Sequence, residues 1–346
     1  MTKMRTLLGV SAIAFTVSSP AWAETVTLAA YSGIFQDHYV KAVVEPFMKA
    51  HPDIKVEFYG MPNSAQMLGT LRAQKSAPQI DVVIMDVSVA KAGTDEGLFD
   101  KVDESVSPNV ADLYPAAKAQ GVNGVAVTFD NLVLLYNKDQ VKTAPTSWNV
   151  LWDKQYAGKV AIPAVPDIQG TTLTIIANKM AGGDDYKKSV DAGIGKLGEL
   201  APNVQTWDPK PDVYAPIANG QAALGIGWNA RAQVYADSSG GKLGVVLPQE
   251  GSGFQINTIN LVKSAPNSKA AKTFIDYALK PETQAAFTEE MFYAPTNSKA
   301  KISQAALART AAGSMDKMID IDWIAVASVR DKITEQWRRR VIPLSR

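Results

Sequence analysis

Short apolar runs alternate with amphipathic stretches along this chain, and that alternation predicts strands separated by helices. Val26-Thr27-Leu28-Ala29-Ala30-Tyr31 reads as a buried strand that breaks at Ser32-Gly33. Val40, Val43, Val44, Phe47 and Met48 then fall at the 3.6-residue spacing of an amphipathic helix. Pro52-Asp53 ends it, and Ile54, Val56 and Phe58 alternate as a strand would. A helix over about 64–75 leads into Ile80-Asp81-Val82-Val83-Ile84-Met85, the near-continuous apolar run of a strand buried on both faces.

Further along, Val125-Ala126-Val127 and Leu132–Tyr136 read as two strands bracketing Thr128-Phe129-Asp130-Asn131. Val160-Ala161-Ile162, Leu224–Gly227 and Val245–Leu247 add short strands, with helical stretches near 171–181, 183–199 and 211–220 between them. Helices follow at about 267–279 and 281–290. A last long one, about 323–340, carries Trp323, Val326, Val329, Ile333 and Trp337 on one face. This is an α/β pattern with crossover connections. The sequence has no internal repeat and no flexible linker, so two domains would have to be joined by more than one segment.

The first 23 residues change the picture of where the chain works. Lys3 and Arg5 precede the apolar run Leu7–Val17, and Ala21-Trp22-Ala23 completes a secretory cleavage pattern, which places the mature start at Glu24. The eleven residues Leu7–Val17 are too few to span a bilayer, which takes about 20. No other stretch is long and apolar enough, so no membrane insertion is expected. The chain has no cysteine, and with it neither a disulfide framework nor a lipid-anchoring thiol. A soluble export product of this kind suits a Gram-negative periplasm. Removing residues 1–23 leaves 323 residues, with 33 Lys+Arg against 34 Asp+Glu. That near-neutrality provides no field for gathering nucleic acid or anionic lipid.

Material for catalysis is sparse. The two histidines, His38 and His51, have no zinc-ligand spacing, and no G-x-S-x-G elbow lies beyond the cleavage site. Gly193-Ile194-Gly195-Lys196-Leu197-Gly198 matches the dinucleotide motif in letters, but the preceding Tyr186–Ala192 reads as helix where that motif needs a strand. With no P-loop, any ATP must be hydrolysed by a partner. The expectation is no catalytic residue, no metal site and no cofactor.

From Val125 onward the sequence resembles a known family. Thr146-Ser147-Trp148-Asn149-Val150-Leu151-Trp152 followed by Tyr156-Ala157-Gly158-Lys159-Val160 is similar to a segment of periplasmic solute-binding proteins of ABC importers. The nearest branch is the spermidine/putrescine-binding type, of the extracellular solute-binding family 1 kind. Gly225–Arg231, Glu250–Val262, Phe292–Asn297, Asp322-Trp323 and Thr334-Glu335-Gln336-Trp337 match further segments in order. The resemblance implies an α/β, two-lobe periplasmic binding protein fold of the class II type, with the ligand in a cleft between lobes joined by crossing strands. It implies lobe one at 24–127 plus 258–297 and lobe two at 128–257 plus 298–346. It also implies a monomer that hands a small-molecule solute to an ABC permease with separate ATPase subunits. A receptor-docking chemosensory protein would share the same pattern.

Several residues become candidates for the site. Tyr31 and Ser32 end the first strand, where the family places an aromatic, and Ser32-Gly33 opens a helix whose free N–H groups suit an anion. Asp86 follows a buried strand, placed either to accept from a ligand amine or to cap the next helix. Phe129 and Asp130 sit where the chain is expected to cross between lobes. Trp228 matches the family's aromatic platform for an alkyl chain or ammonium group, and Arg231, about one turn further on, could fork a carboxylate. Tyr293 enters through the Phe292–Asn297 match. Polyamine binders carry Trp-x-Asp where this chain reads Gln255-Ile256-Asn257, and Gly170 replaces a second acid, leaving Asp167 as a nearby substitute. A neutral Asn257 both donates and accepts. The lost acids and Arg231 favour a small polar or zwitterionic, amino-acid-derived solute over spermidine. The absence of a Tyr-Tyr pair argues against the ferric-iron branch.

Overall fold

The computed structural model describes residues 24–119, 121–319 and 321–345, so the expected cleavage segment 1–23 lies outside the described residues. Strands β1 (Glu24–Tyr31), β2 (Ile54–Met61) and β3 (Val82–Asp86) run parallel with β1 in the middle. Ile34–Tyr39, Val40–Val44 and Glu45–Ala50 connect the first two as successive helical segments, and Ser64–Ala73 precedes the third. After the two-residue β4 (Phe99–Asp100), the long β5 (Val125–Asn137) turns the sheet antiparallel. β6 (Val160–Ala161), β7 (Val204–Thr206) and β8 (Leu224–Trp228) form a second parallel unit. β9 (Leu243–Val246), β10 (Ser252–Val262) and β11 (Met318–Ile319) complete the strands among the described residues.

The main strand order is β2-β1-β3-β10-β5-β8-β6-β7. One hydrophobic core surrounds the β1–β3 unit and includes Leu28, Phe35, Phe47, Ile84 and Phe274. A second surrounds β6 and β8 and includes Leu134, Trp148, Ile194, Ile226 and Trp337. β5 passes from one to the other. Phe254–Ile259 of β10 pair with residues 125–131 of β5, and Leu132–Tyr136 then pair with β8. A smaller apolar cluster joins Val87, on the helix Val87–Asp95, to Ile175, Ile321, Trp323 and Val326.

Several expectations change, each for a local reason. The two strands expected around Thr128–Asn131 are one strand with all its residues buried. The polar interval needs no turn because its side chains find partners inside, as when Asn257 Nδ2 donates to Thr128 Oγ1 at 3.1 Å. β10 escaped the pattern reading because Gln255, Asn257, Thr258 and Asn260 are polar yet buried. The helix expected over 183–199 is Asp191–Leu200, since Asn178 holds the preceding turn through Asp184 O and Gly193 N. The helix expected over 211–220 shortens to Tyr214–Ala218. Gly193 lies on a helix, as expected, and a Cβ there would meet Thr174 O at 2.6 Å. Its smallness serves helix packing.

Asp81 ties the first core together. It is fully buried, accepts Thr27 N–H of β1 at 2.8 Å and accepts Asn267 N–H at 2.9 Å, where the helix Ser268–Ala278 begins. Asp81→Ala leaves both partly buried donors without this partner, so stability should fall by roughly 2–4 kcal/mol. A denaturant midpoint within error of the wild type would contradict this.

Candidate ligand-binding site

A cleft of about 840 Å³ opens at the carboxyl ends of the strands, the usual ligand position in open α/β sheets. Tyr31 ends β1, Asp86 ends β3 and Trp228 ends β8, and all three line it. Asp167 joins them as the residue preceding the helix Ile168–Met180, and Arg231 from the first turn of the helix Asn229–Ser238. Tyr293 lines the same space just after Phe292, whose backbone is left-handed at φ 59°. The structure thus brings together Tyr31, Asp86, Asp167, Trp228, Arg231 and Tyr293.

The two acids are held differently. Asp86 accepts from Ser64 Oγ at 2.8 Å and from Gln255 Nε2 at 2.9 Å, and its side chain caps no helix. Burial raises its pKa, while hydrogen bonds from Ser64, Gln255 and Tyr31 and the charge of Arg330 oppose the rise. Asp167 accepts Gln169 N–H at 2.8 Å and so caps its helix, while its surface opens onto the cleft. Burial among protein atoms pushes it up to about 6; Asp86 adds to the rise, and Gln169 N–H and Arg231 oppose it. It remains largely ionised at neutral pH.

Arg231 has no such partner. No ion pair among the described residues involves it. Its Nε is buried without a hydrogen-bond acceptor, and the guanidinium carbon lies 5.9 Å from the Tyr31 ring centre. An unpaired buried donor is costly, so an anionic group in the cleft would gain from it. Trp228 is fixed at both backbone atoms by Tyr214: its N–H donates to the hydroxyl at 2.9 Å and its carbonyl accepts at 3.1 Å.

A sequence profile of bacterial extracellular solute-binding proteins matches residues 42–312. The chain belongs to that family. It is 26% identical over 305 residues to a gamma-aminobutyric acid-binding protein of Pseudomonas aeruginosa, covering 84% of this chain and 82% of the relative. It is 25% identical over 318 residues to the spermidine/putrescine-binding periplasmic protein of Escherichia coli, covering 86% and 85%. Its fold matches a solved ABC transporter protein of Clostridium perfringens with a TM-score of 0.73 and 26% identity, over 91% of this chain and 99% of the other. This solute-binding protein is the substrate-binding component of an ABC transporter, with the two-lobe α/β fold that the sequence resemblance implied.

Four expected site residues do not line its cleft. Ser32 is exposed and its N–H is taken by Met61 O at 2.9 Å. Phe129 packs on Phe254 with ring centres 4.7 Å apart inside the first core. Asn257 spends both ends of its amide internally, its Oδ1 2.9 Å from the Tyr31 hydroxyl and its Nδ2 on Thr128. Asp130 is fully buried, accepting Asn131 N–H at 2.9 Å and Ala230 N–H at 3.1 Å. The residues that sequence reasoning left out are Ser64, Gln169, Gln255, Trp323 and Arg330, all lining the cleft. A buried acid's need for donors is the signal that could have found the first three.

Burial pushes Asp130 up to about 8, against the Asn131 and Ala230 hydrogen bonds and the charge of Arg231. The unfolded carboxyl titrates near 4, so the folded state holds an extra proton from about pH 4 to about pH 8, and stability falls as pH rises through that window. Asp130→Asn removes this slope. The variant's stability relative to wild type should therefore rise by at least ~1 kcal/mol between pH 5 and pH 8. Parallel denaturation curves at both pH values would refute it.

Proposed function

We propose that this protein is the periplasmic receptor of an ABC importer for a small solute with an amine at one end and a carboxylate at the other. One observation carries the reading: Arg231, whose Nε is buried without an acceptor, shares a cleft with the acids Asp86 and Asp167. The gamma-aminobutyric acid-binding relative supports it. Arg231 takes the anionic end, the acids take the ammonium, and Trp228 covers the chain between them. No group in the cleft has a catalytic role in this reading, and the protein acts as a monomer that delivers solute to a permease with separate ATPase subunits.

Closure couples capture to delivery. Lobe one comprises 24–127 plus 258–297, and lobe two 128–257 plus 298–346. Asp86 and Tyr31 then belong to the first, Asp167, Trp228 and Arg231 to the second. Each lobe alone offers half the contacts, so the solute shifts the equilibrium toward the closed form. The second reading, a polyamine receptor, rests on the acid pair and on the spermidine/putrescine-binding relative, but it leaves Arg231 facing a cation.

The two readings give different outcomes. A thermal-shift screen of amines, amino acids and their conjugates first supplies a ligand, which at 100 times its Kd adds about 2.7 kcal/mol of stability. Arg231→Lys should then weaken binding of an amino acid at least tenfold, because lysine keeps the charge but loses the two-donor fork. Binding that is not weakened in the lysine variant, measured by calorimetry, would replace the zwitterion with the polyamine.

Closure has its own measurement. Small-angle scattering should show a smaller radius of gyration with saturating solute than without it, and an identical radius would rule out capture by lobe closure.

A further inference from the structure

Two of the acids that line the cleft, Asp86 and Asp167, each have a glutamine beside them. Gln255 donates its amide N–H to Asp86 at 2.9 Å, and Gln169 donates its backbone N–H to Asp167 at 2.8 Å. Gln255 is 5% exposed and Gln169 9%, both line the cleft, and the carbonyl oxygen of each is buried without a donor. Gln255 stands on the crossing strand β10 and Gln169 on the first turn of the helix Ile168–Met180. In the free protein these are two unsatisfied acceptors beside two carboxylates. Such groups cost stability unless a donor arrives.

We infer that Gln169 and Gln255 are specificity-determining residues that restrict the amine end of the solute to a primary ammonium. This rests on the amine-ligand reading above and adds what that reading leaves open, the substitution of the nitrogen. A primary ammonium carries three N–H donors, enough to satisfy a carboxylate and both amide oxygens together. A trimethylammonium group has the same charge and none of the donors, so it leaves both oxygens unpaired and desolvated. Sites built around such hydrogen bonds discriminate far more strongly than apolar pockets do.

The test is calorimetry on the intact protein with two probe pairs: gamma-aminobutyrate and its N-trimethyl form, and putrescine and its bis-trimethyl form. The wild type should prefer the unmethylated member of whichever pair it binds by at least about a hundredfold. Gln169→Met and Gln255→Met, near in size but without an amide, should each cut that preference at least tenfold by weakening the unmethylated probe. Comparable wild-type affinity within a pair overturns the inference and leaves the amine-ligand reading standing. A preference retained in both methionine variants means exclusion by size and also overturns it. Failure of the wild type to bind either pair removes the amine-ligand reading itself, and this inference with it.

Discussion

The antiparallel pairing of β5 with β10 is the constraint on which the rest of this solute-binding protein depends. β5 contributes to both cores and β10 to the first, and the residues at their crossing are polar and buried: Thr128, Asp130, Asn131, Gln255, Asn257 and Thr258. A buried polar group without a partner is expensive, so each must be bonded in one arrangement, which fixes the register. That register sets the cleft. Asn257 stands opposite Asp86 in the sheet, Gln255 grips the Asp86 carboxylate, and Asp130 accepts the Ala230 N–H next to Arg231.

The cleft's charges follow from the same economy of partners. Asp86 is supported by Ser64 and Gln255, and Ser64 Oγ lies 2.9 Å from the Tyr31 hydroxyl, which lies 2.9 Å from Asn257 Oδ1. This network anchors the first-core side of the site. On the other side, Asp167 is tied to the start of its helix and the Nε of Arg231 has no acceptor. A guanidinium with an unpaired Nε thereby stands in the same cleft as acids that accept hydrogen bonds from the protein itself. Arg330, whose charge lowers the Asp86 pKa, is held by Pro166 O at 3.1 Å at the edge of the same cleft.

Much of this was legible in the sequence where side-chain polarity and position agree. The apolar run Val82–Met85 is a buried strand, and the face carrying Trp323, Val326, Ile333 and Trp337 is the buried side of the last helix. Tyr31, Asp86, Trp228 and Arg231 were accessible because they follow strand ends, where an α/β sheet presents its site. Periodicity failed where polar residues are inside: it split β5 and passed over β10. The family resemblance pointed to Asp130 and Asn257 as cleft residues, where both support the cleft from behind. Gln169 and Gln255 were invisible for a related reason. A glutamine looks like a surface residue until the acid it grips and its unpaired oxygen are seen together.

The continuity of β5 and β10 also bears on the entropy of capture. Segments that become ordered only on binding add their lost conformational freedom to the cost of the complex. Here the thirteen residues Val125–Asn137 and the eleven of Ser252–Val262 are already extended and laddered to their neighbours. Their backbone freedom, roughly 1–2 kcal/mol per residue, is lost when the chain folds. A solute entering the cleft meets connections already in order, and the entropy it gives up is mainly its own.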